Sequence, residues 1–164
     1  MKSRRIALMG LLIMPLAVAA ACTGKTAGAP SDSDTGAASA TQKDNGAGSV
    51  TLEVTWAMPD HIAEDEKLRA VADKHAGEDV VILHVTMNTH SVNLSKYDLG
   101  KVSTLEAGGD SEPAVESVSI SDDEHHAETV LVFRRPAKTS TATLIVRDIG
   151  GVPERTLRWS PPPS

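Results

Sequence analysis

Apolar residues recur at every second position in several stretches of this chain. Val50, Leu52, Val54 and Trp56 alternate with polar residues, and residues 81–87 repeat the pattern. A period of two is typical of β-strands that bury one face, because successive side chains of a strand point to opposite sides. The spacing therefore predicts that the folded part of the chain is mainly β-sheet.

The same spacing predicts five further strands, which bring the total to about seven. They fall at residues 101–106, 115–120, 129–134, 142–148 and 155–159. The turn-forming residues 148–153 predict a hairpin between the last two. Residues 62–75 have helical spacing instead, and Gly77 follows as a stop signal. These features predict an all-β fold, an immunoglobulin-like or fibronectin-like β-sandwich of about seven strands with one short helical insertion.

The chain divides by composition into four parts. Residues 23–48 contain no Leu, Ile, Val or aromatic residue, so they cannot form a core and are expected to be a disordered linker. We expect a signal peptide at 1–21, Cys22 and the linker at 22–48, one sandwich domain at 49–160 and a Pro-rich tail at 161–164.

Cys22, the only cysteine, ends a run of small and apolar residues, Leu-Ala-Val-Ala-Ala-Ala-Cys. Lys2, Arg4 and Arg5 precede an apolar segment that is short for a membrane span, as in a secretory leader. The segment resembles the lipobox of bacterial lipoproteins. That resemblance implies cleavage before Cys22, a diacylglycerol on its sulfur and an acylated amine. The alternatives are an ordinary signal peptide with an incidental cysteine and, for the export route, a twin-arginine leader instead of the general secretory one.

These features predict a protein of the cell envelope, lipid-anchored to a membrane outside the cytoplasm. Loss of the three leader cations takes the formal net charge from -6 to -9. An acidic chain is a poor partner for nucleic acid, so we expect none. The membrane itself, reached through the lipid on Cys22, and an envelope protein are the expected partners. With Cys22 lipidated, the chain has no thiol for a disulfide or a zinc cluster.

Histidines are the residues with most potential for chemistry. His84 and His90 flank the end of one predicted strand, while Asp123, His125 and His126 precede another. If the two strand ends meet, these five residues could hold copper or zinc, since imidazole and carboxylate are common ligands. Neighbouring strand residues point to opposite faces, however, so His125 and His126 share an ion only in an irregular turn. The other interpretation is structural or solvated histidines, and we expect His61 and His75 at the surface.

Four short motifs lie between residues 80 and 159: Thr-His-Ser at 89–91, the His125-His126 pair, Leu131-Val132-Phe133, and Glu154-Arg155 followed by Trp159. Together they resemble a family of uncharacterised secreted bacterial domains. The resemblance covers residues 80–159 and implies a β-sandwich, in which residues 89–91 and 125–126 are the parts most worth testing. It implies no activity.

The sequence offers no support for an enzyme. Ser91 beside His90 lacks the strained nucleophile turn and the orienting acid of a hydrolase. We therefore expect a non-catalytic binding or interaction module without a cofactor. The alternative is an envelope metal-binding protein that uses His90 and His125 or His126.

Overall fold

The computed structural model describes residues 39–44, 48–137 and 140–163, which contain nine strands and three short helices. The strands are β1 (Thr41–Asp44), β2 (Val50–Trp56), β3 (Val80–Thr89), β4 (Ser103–Ala107), β5 (Asp110–Pro113), β6 (Glu116–Asp122), β7 (His126–Arg134), β8 (Ala142–Ile149) and β9 (Val152–Trp159). The helices are α1 (Pro59–Glu64), α2 (Glu66–Lys74) and α3 (Leu99–Val102), and a 3-10 turn covers Leu94–Lys96. The predicted all-β sandwich with a helical insertion is confirmed.

The strands form two antiparallel sheets that face each other. The larger sheet has the order β1-β2-β3-β7-β6, and the smaller has the order β5-β4-β8-β9. The inward positions of β2, β3 and β7 supply the main core together with β8 and β9. Trp56 and Trp159 meet edge to face there, with ring centroids 5.4 Å apart. The period of two in the sequence is thus the pattern that the core uses.

A second, smaller core lies on the outer face of the larger sheet. Leu68 and Val71 of α2 pack there against Ile82 of β3 and against Val130 and Val132 of β7. This packing explains why β3 and β7 are apolar on both faces at one end and polar on the outer face at the other. The helical insertion therefore sets where the exposed part of this sheet begins.

The start of α2 is fixed by a side-chain cap. Asp65 Oδ1 accepts the backbone amides of Lys67 and Leu68, each at 2.8 Å. Such a cap satisfies amides that have no partner within the helix. These hydrogen bonds, the one to Leu68 first, hold the pKa of Asp65 below its ordinary value.

Two strands lie where the sequence predicts none. Strand β1 falls within residues 22–48, so the prediction that the fold begins at residue 49 is wrong. Its polar sequence Thr-Gln-Lys-Asp carries no apolar signal, and tertiary contacts hold it in place. The Ala40 carbonyl accepts the Trp56 amide at 2.8 Å and the indole Nε1 of Trp159 at 2.9 Å. Strand β5 is equally polar, and the tight Gly108-Gly109 turn places it beside β4.

The predicted hairpin of β8 and β9 is confirmed. Asp148, Gly150 and Gly151 have positive φ values of 57°, 63° and 78° at its turn. One predicted strand is shorter than expected, because residues 101–102 belong to α3. None of the helices that the structure describes has the length and apolar character needed to cross a bilayer. The predicted signal peptide, Cys22 and most of the predicted linker lie outside the described residues.

Candidate functional site

The exposed part of the larger sheet carries a chain of polar side chains, which we call the histidine face. It consists of His61, His84, Asn88, His126 and Glu128. Asn88 of β3 lies opposite His126 of β7, and Glu128 follows two positions along the same face. His84 lies on the same face of β3, two residue pairs beyond the pair that contains Glu128. His61 of α1 contacts His84. Side chains at such cross-strand and diagonal positions are close enough to bond.

Glu128 links the two halves of the histidine face. Its Oε1 lies 2.8 Å from His126 Nε2, and its Oε2 lies 3.3 Å from His84 Nε2. The second nitrogen of each histidine is also occupied. His126 Nδ1 lies 2.6 Å from Asn88 Oδ1, and His84 Nδ1 lies 3.3 Å from His61 Nε2. One continuous line of contacts therefore runs from α1 across β3 to β7.

The carboxylate of Glu128 is held in its ionised form. The hydrogen bond from His126 is the largest influence and lowers its pKa, partial burial opposes this, and electrostatic attraction to His84 lowers the pKa further. An ionised carboxylate only accepts hydrogen bonds, so the nitrogens that face it must carry protons. His126 Nε2, at 2.8 Å, is therefore a donor to this carboxylate.

The two predicted strand ends do meet at one rim, but the predicted ligands do not converge there. The Thr89 amide donates to the His125 carbonyl at 3.0 Å. Asp123 Oδ1 accepts the amides of His125 and His126 at 2.8 and 3.2 Å. These amide bonds, that of His125 first, lower the pKa of Asp123. The carboxylate thus acts as a turn-forming group.

The predicted histidines have separate surroundings. His90 and His125 are exposed, and among the described residues neither has a side-chain hydrogen-bond partner. His84 and His126 bond instead to Glu128 on the histidine face. Within the described part of the chain, no three histidine, cysteine, aspartate or glutamate side chains are arranged to hold a metal ion.

His75 is not the surface residue that we expected. Its side chain is only 10% exposed, and it lies between Glu78 and Glu116. Its Nδ1 is 2.9 Å from Glu78 and its Nε2 is 2.6 Å from Glu116, and these bonds raise the pKa of His75. The hydrogen bond from Lys74, followed by that from His75, lowers the pKa of Glu116. The group ties the end of α2 to β6.

A second feature is an open groove of about 320 Å³ between β6 and the segment that precedes α3. Three serines of β6, Ser117, Ser119 and Ser121, line it together with Tyr97 and Thr129. These serines pair with residues of β7, a strand that contributes to the core. They nevertheless present hydroxyl groups where a sandwich usually has apolar side chains. One side of the space between the sheets is therefore polar.

Helix α3 packs directly on this groove. A Cβ atom on Gly100 would lie 2.6 Å from the Ser117 Cβ, which is closer than real side chains approach. Glycine at this position lets α3 approach β6, and it sets the width of the groove at that end.

Strand β6 lies at the edge of its sheet, and α2 covers part of that edge. Lys67 Nζ donates to the Ile120 carbonyl at 2.6 Å, and the pairing with β7 shifts between Ser119 and Ser121. A lysine and a bulge are devices that protect an edge strand from pairing with another chain. Ligand contacts at this edge are therefore better made through side chains in the groove than by addition of a strand.

The sequence did not identify His61, Asn88 or Glu128 as members of a site. A signal for two of them was present, since Asn88 shares a strand face with His84, and Glu128 shares one with His126. His61 had no such signal, because its contact depends on how α1 docks on the sheet.

No family model, curated protein or solved structure matches the chain. The fold defines its class as an all-β sandwich with a helical insertion on one sheet.

Proposed function

We propose that this chain is a lipid-anchored, non-catalytic binding module of the cell envelope. Its sandwich would be held at a membrane outside the cytoplasm by a lipid on Cys22. The resemblance of residues 16–22 to a lipobox supports the anchor, and the acidic balance of the chain supports a partner other than nucleic acid. The expected partner is another protein of the envelope.

The serine-lined groove is the observation that carries the binding role. It offers hydroxyl donors and acceptors from Ser117, Ser119 and Ser121 above an apolar floor that includes Leu94 and Leu99. A groove with many hydroxyl groups beside a few apolar side chains suits a peptide segment that hydrogen-bonds through its backbone or polar side chains. Among the described residues that line the groove there is no histidine to activate a serine, which favours binding over acyl transfer.

Site-specific photo-crosslinking in the cells that make the protein tests this proposal. A photoreactive residue at Ser119 is expected to give one discrete adduct with an envelope protein. The matched control is Arg158, which is exposed on the outer side of β9, and it is expected to give none. Ser121→Trp, which fills the groove, should abolish the Ser119 adduct. Equal labelling from both positions, or none from Ser119, would contradict a partner in the groove.

A metal-binding role is the second candidate, and one observation favours it. The spacing of His61 and His84 on the histidine face, 3.3 Å between ring nitrogens, suits ligands of one cation. Of the residues expected for this role, His126 lies on the histidine face, whereas His90 and His125 lie outside it.

A further inference from the structure

The two ends of the serine-lined groove carry carboxylates. Asp122 lines the groove at one end, next to Ser121. Asp98 lines it at the other end, where a Cβ atom on Gly100 would lie 3.4 Å from Asp98 Oδ1 and would also meet Ser117. Among the described residues that line the groove there is no lysine, arginine or histidine. The lining therefore carries only negative charge.

The hydroxyl groups between these carboxylates are open to a ligand. Ser117 and Ser119 are exposed, and Ser121 and Thr129 are half-buried. Within the part of the chain that the structure describes, none of these four side chains makes a hydrogen bond to another protein group. Each hydroxyl can donate one hydrogen bond and accept others. A bound segment could therefore bond to them without breaking contacts of the fold.

The carboxylate at the Asp98 end already has a cation beside it. Lys101 Nζ lies 2.7 Å from Asp98 Oδ2, and this hydrogen bond is the main cause that lowers the pKa of Asp98. Lys96 is close by, with its Nζ 5.1 Å from the centroid of the Tyr97 ring. The negative charge at this end of the groove is thus balanced by lysines of the chain itself.

Asp122 has no such cation at the opposite end. Among the described residues its side chain forms no hydrogen bond or ion pair. The next two carboxylates are engaged in the turn, Asp123 by backbone amides and Glu124 by Asn93. Lys67 donates instead to a backbone carbonyl of β6 at 2.6 Å. The Asp122 end of the groove therefore presents a negative charge that the protein does not pair.

We propose that the groove binds an extended segment of an envelope protein through a lysine or arginine side chain. The cation pairs with Asp122, while polar groups of the segment bond to the serine hydroxyls. This inference rests on the proposed function, because it names the chemistry of the partner for the same groove. Charge complementarity selects this partner, since opposite charges across an interface set specificity and the rate of association. The acidic balance of the whole chain attracts the same kind of segment.

Photo-crosslinking of the purified full chain with defined probes tests the proposal. The chain carries a photoreactive residue at Ser119. The probes are biotinylated pentapeptide amides that are identical except for a central lysine, arginine, norleucine or glutamate. The lysine and arginine probes are expected to label about threefold more strongly than the norleucine probe, a ratio typical of a partly exposed ion pair. Sodium chloride at about 0.5 M should remove most of this difference, because salt screens such a pair.

Variants of Asp122 locate the cation within the groove. Asp122→Asn keeps the shape of the side chain and removes its charge, so the lysine probe should label no better than the norleucine probe. Asp122→Lys should reverse the order and favour the glutamate probe. The matched control is Asp73→Asn, which makes the same change in net charge at an exposed position of α2 outside the groove. It should keep the preference for lysine. Asp122 and Asp73 are both exposed, so each variant should keep the Tm of the unaltered chain.

The outcomes separate this proposal from the proposed function. Equal labelling by the lysine and norleucine probes, or a preference that persists in Asp122→Asn, would overturn the role of the cation and leave the groove as a peptide site. Displacement of the lysine probe by spermidine at a concentration about 100-fold below that of unlabelled lysine peptide would assign the groove to a small polyamine instead of a protein segment. No labelling by any probe also overturns the proposal. If Ser119 then gives no adduct in cells either, the proposed function fails as well.

Discussion

Removal of the Asp44 carboxylate tests whether β1 belongs to the cooperative fold. Asp44 Oδ2 accepts from Arg155 Nη1 at 2.7 Å, which joins β1 of the larger sheet to β9 of the smaller one. The Arg155 side chain is 0% exposed, while that of Asp44 is 20% exposed. Asp44→Ala therefore leaves a buried guanidinium without this carboxylate.

The cost follows from burial. Breaking a buried ion pair at one partner costs about 3–5 kcal/mol. Because Asp44 is partly exposed, water can reach the guanidinium after truncation, and we expect about 2–3 kcal/mol. With a urea dependence of about 1–3 kcal/mol per molar, the unfolding midpoint should fall by about 0.7–3 M. The chain that begins at residue 22 with Cys22→Ser is suited to this assay, since no lipid is attached.

Two variants serve as controls for Asp44→Ala. Lys43 is on the same strand, but its pair with Glu53 is 56% and 42% exposed, so Lys43→Ala should cost less than about 1 kcal/mol. Adding Arg155→Met removes the buried charge as well, so the double variant should be more stable than Asp44→Ala alone. If the free energy of unfolding of Asp44→Ala is within about 0.5 kcal/mol of that of the unaltered chain, β1 contributes nothing to the fold and the reasoning is wrong.

Three further predictions concern the helices and their contacts. Asp65→Ala should lower the free energy of unfolding by about 1 kcal/mol in urea titration, because two helix amides lose their cap; an unchanged midpoint would contradict this role. The pKa of His75 is raised above 6.5, so its contribution to stability is complete below that pH and is lost as pH rises through the folded value. The pKa of Glu116 is lowered below 4.5, so its contribution is present above that pH and is lost on acidification through the folded value. The pair of His75 and Glu116 should therefore stabilise the fold most between pH 4.5 and 6.5. Glu116→Gln should flatten the dependence of the free energy of unfolding on pH, and an unchanged dependence would argue against this pair. Gly100→Ala should cost about 1–3 kcal/mol in thermal or urea unfolding through its clash with Ser117, and Ser117→Gly in the same chain should recover part of the loss. Equal losses in the single and double variants would place the cost elsewhere.

The sequence predicted those parts of the fold whose residues carry an apolar period. Strands β2 and β3 follow their alternating residues closely, and the turn at 148–153 produced its hairpin because Gly150 and Gly151 adopt positive φ. Strand β1 was missed because its order comes from partners far along the chain, Arg155 and Trp159, and not from its own composition.

The candidate site was only partly predictable for a similar reason. His84 and His126 were identified, and the meeting of their strand ends follows from the pairing of β3 with β7. Which side chains share a face depends on the register of that pairing, and this placed Glu128, not His90, beside both histidines. The position of His61 depends on the docking of α1, for which the sequence has no local signal.

The proposed anchor is tested most directly by mass spectrometry of the N-terminal peptide from the membrane-bound protein. We predict a peptide that begins at Cys22 and carries the mass of a diacylglycerol on sulfur together with an acyl chain on the amine. Cys22→Ser should carry no lipid and should leave the membrane fraction or remain unprocessed. A mature N-terminus at another residue, or Cys22 with a free thiol, would contradict lipid anchoring and indicate an ordinary signal peptide.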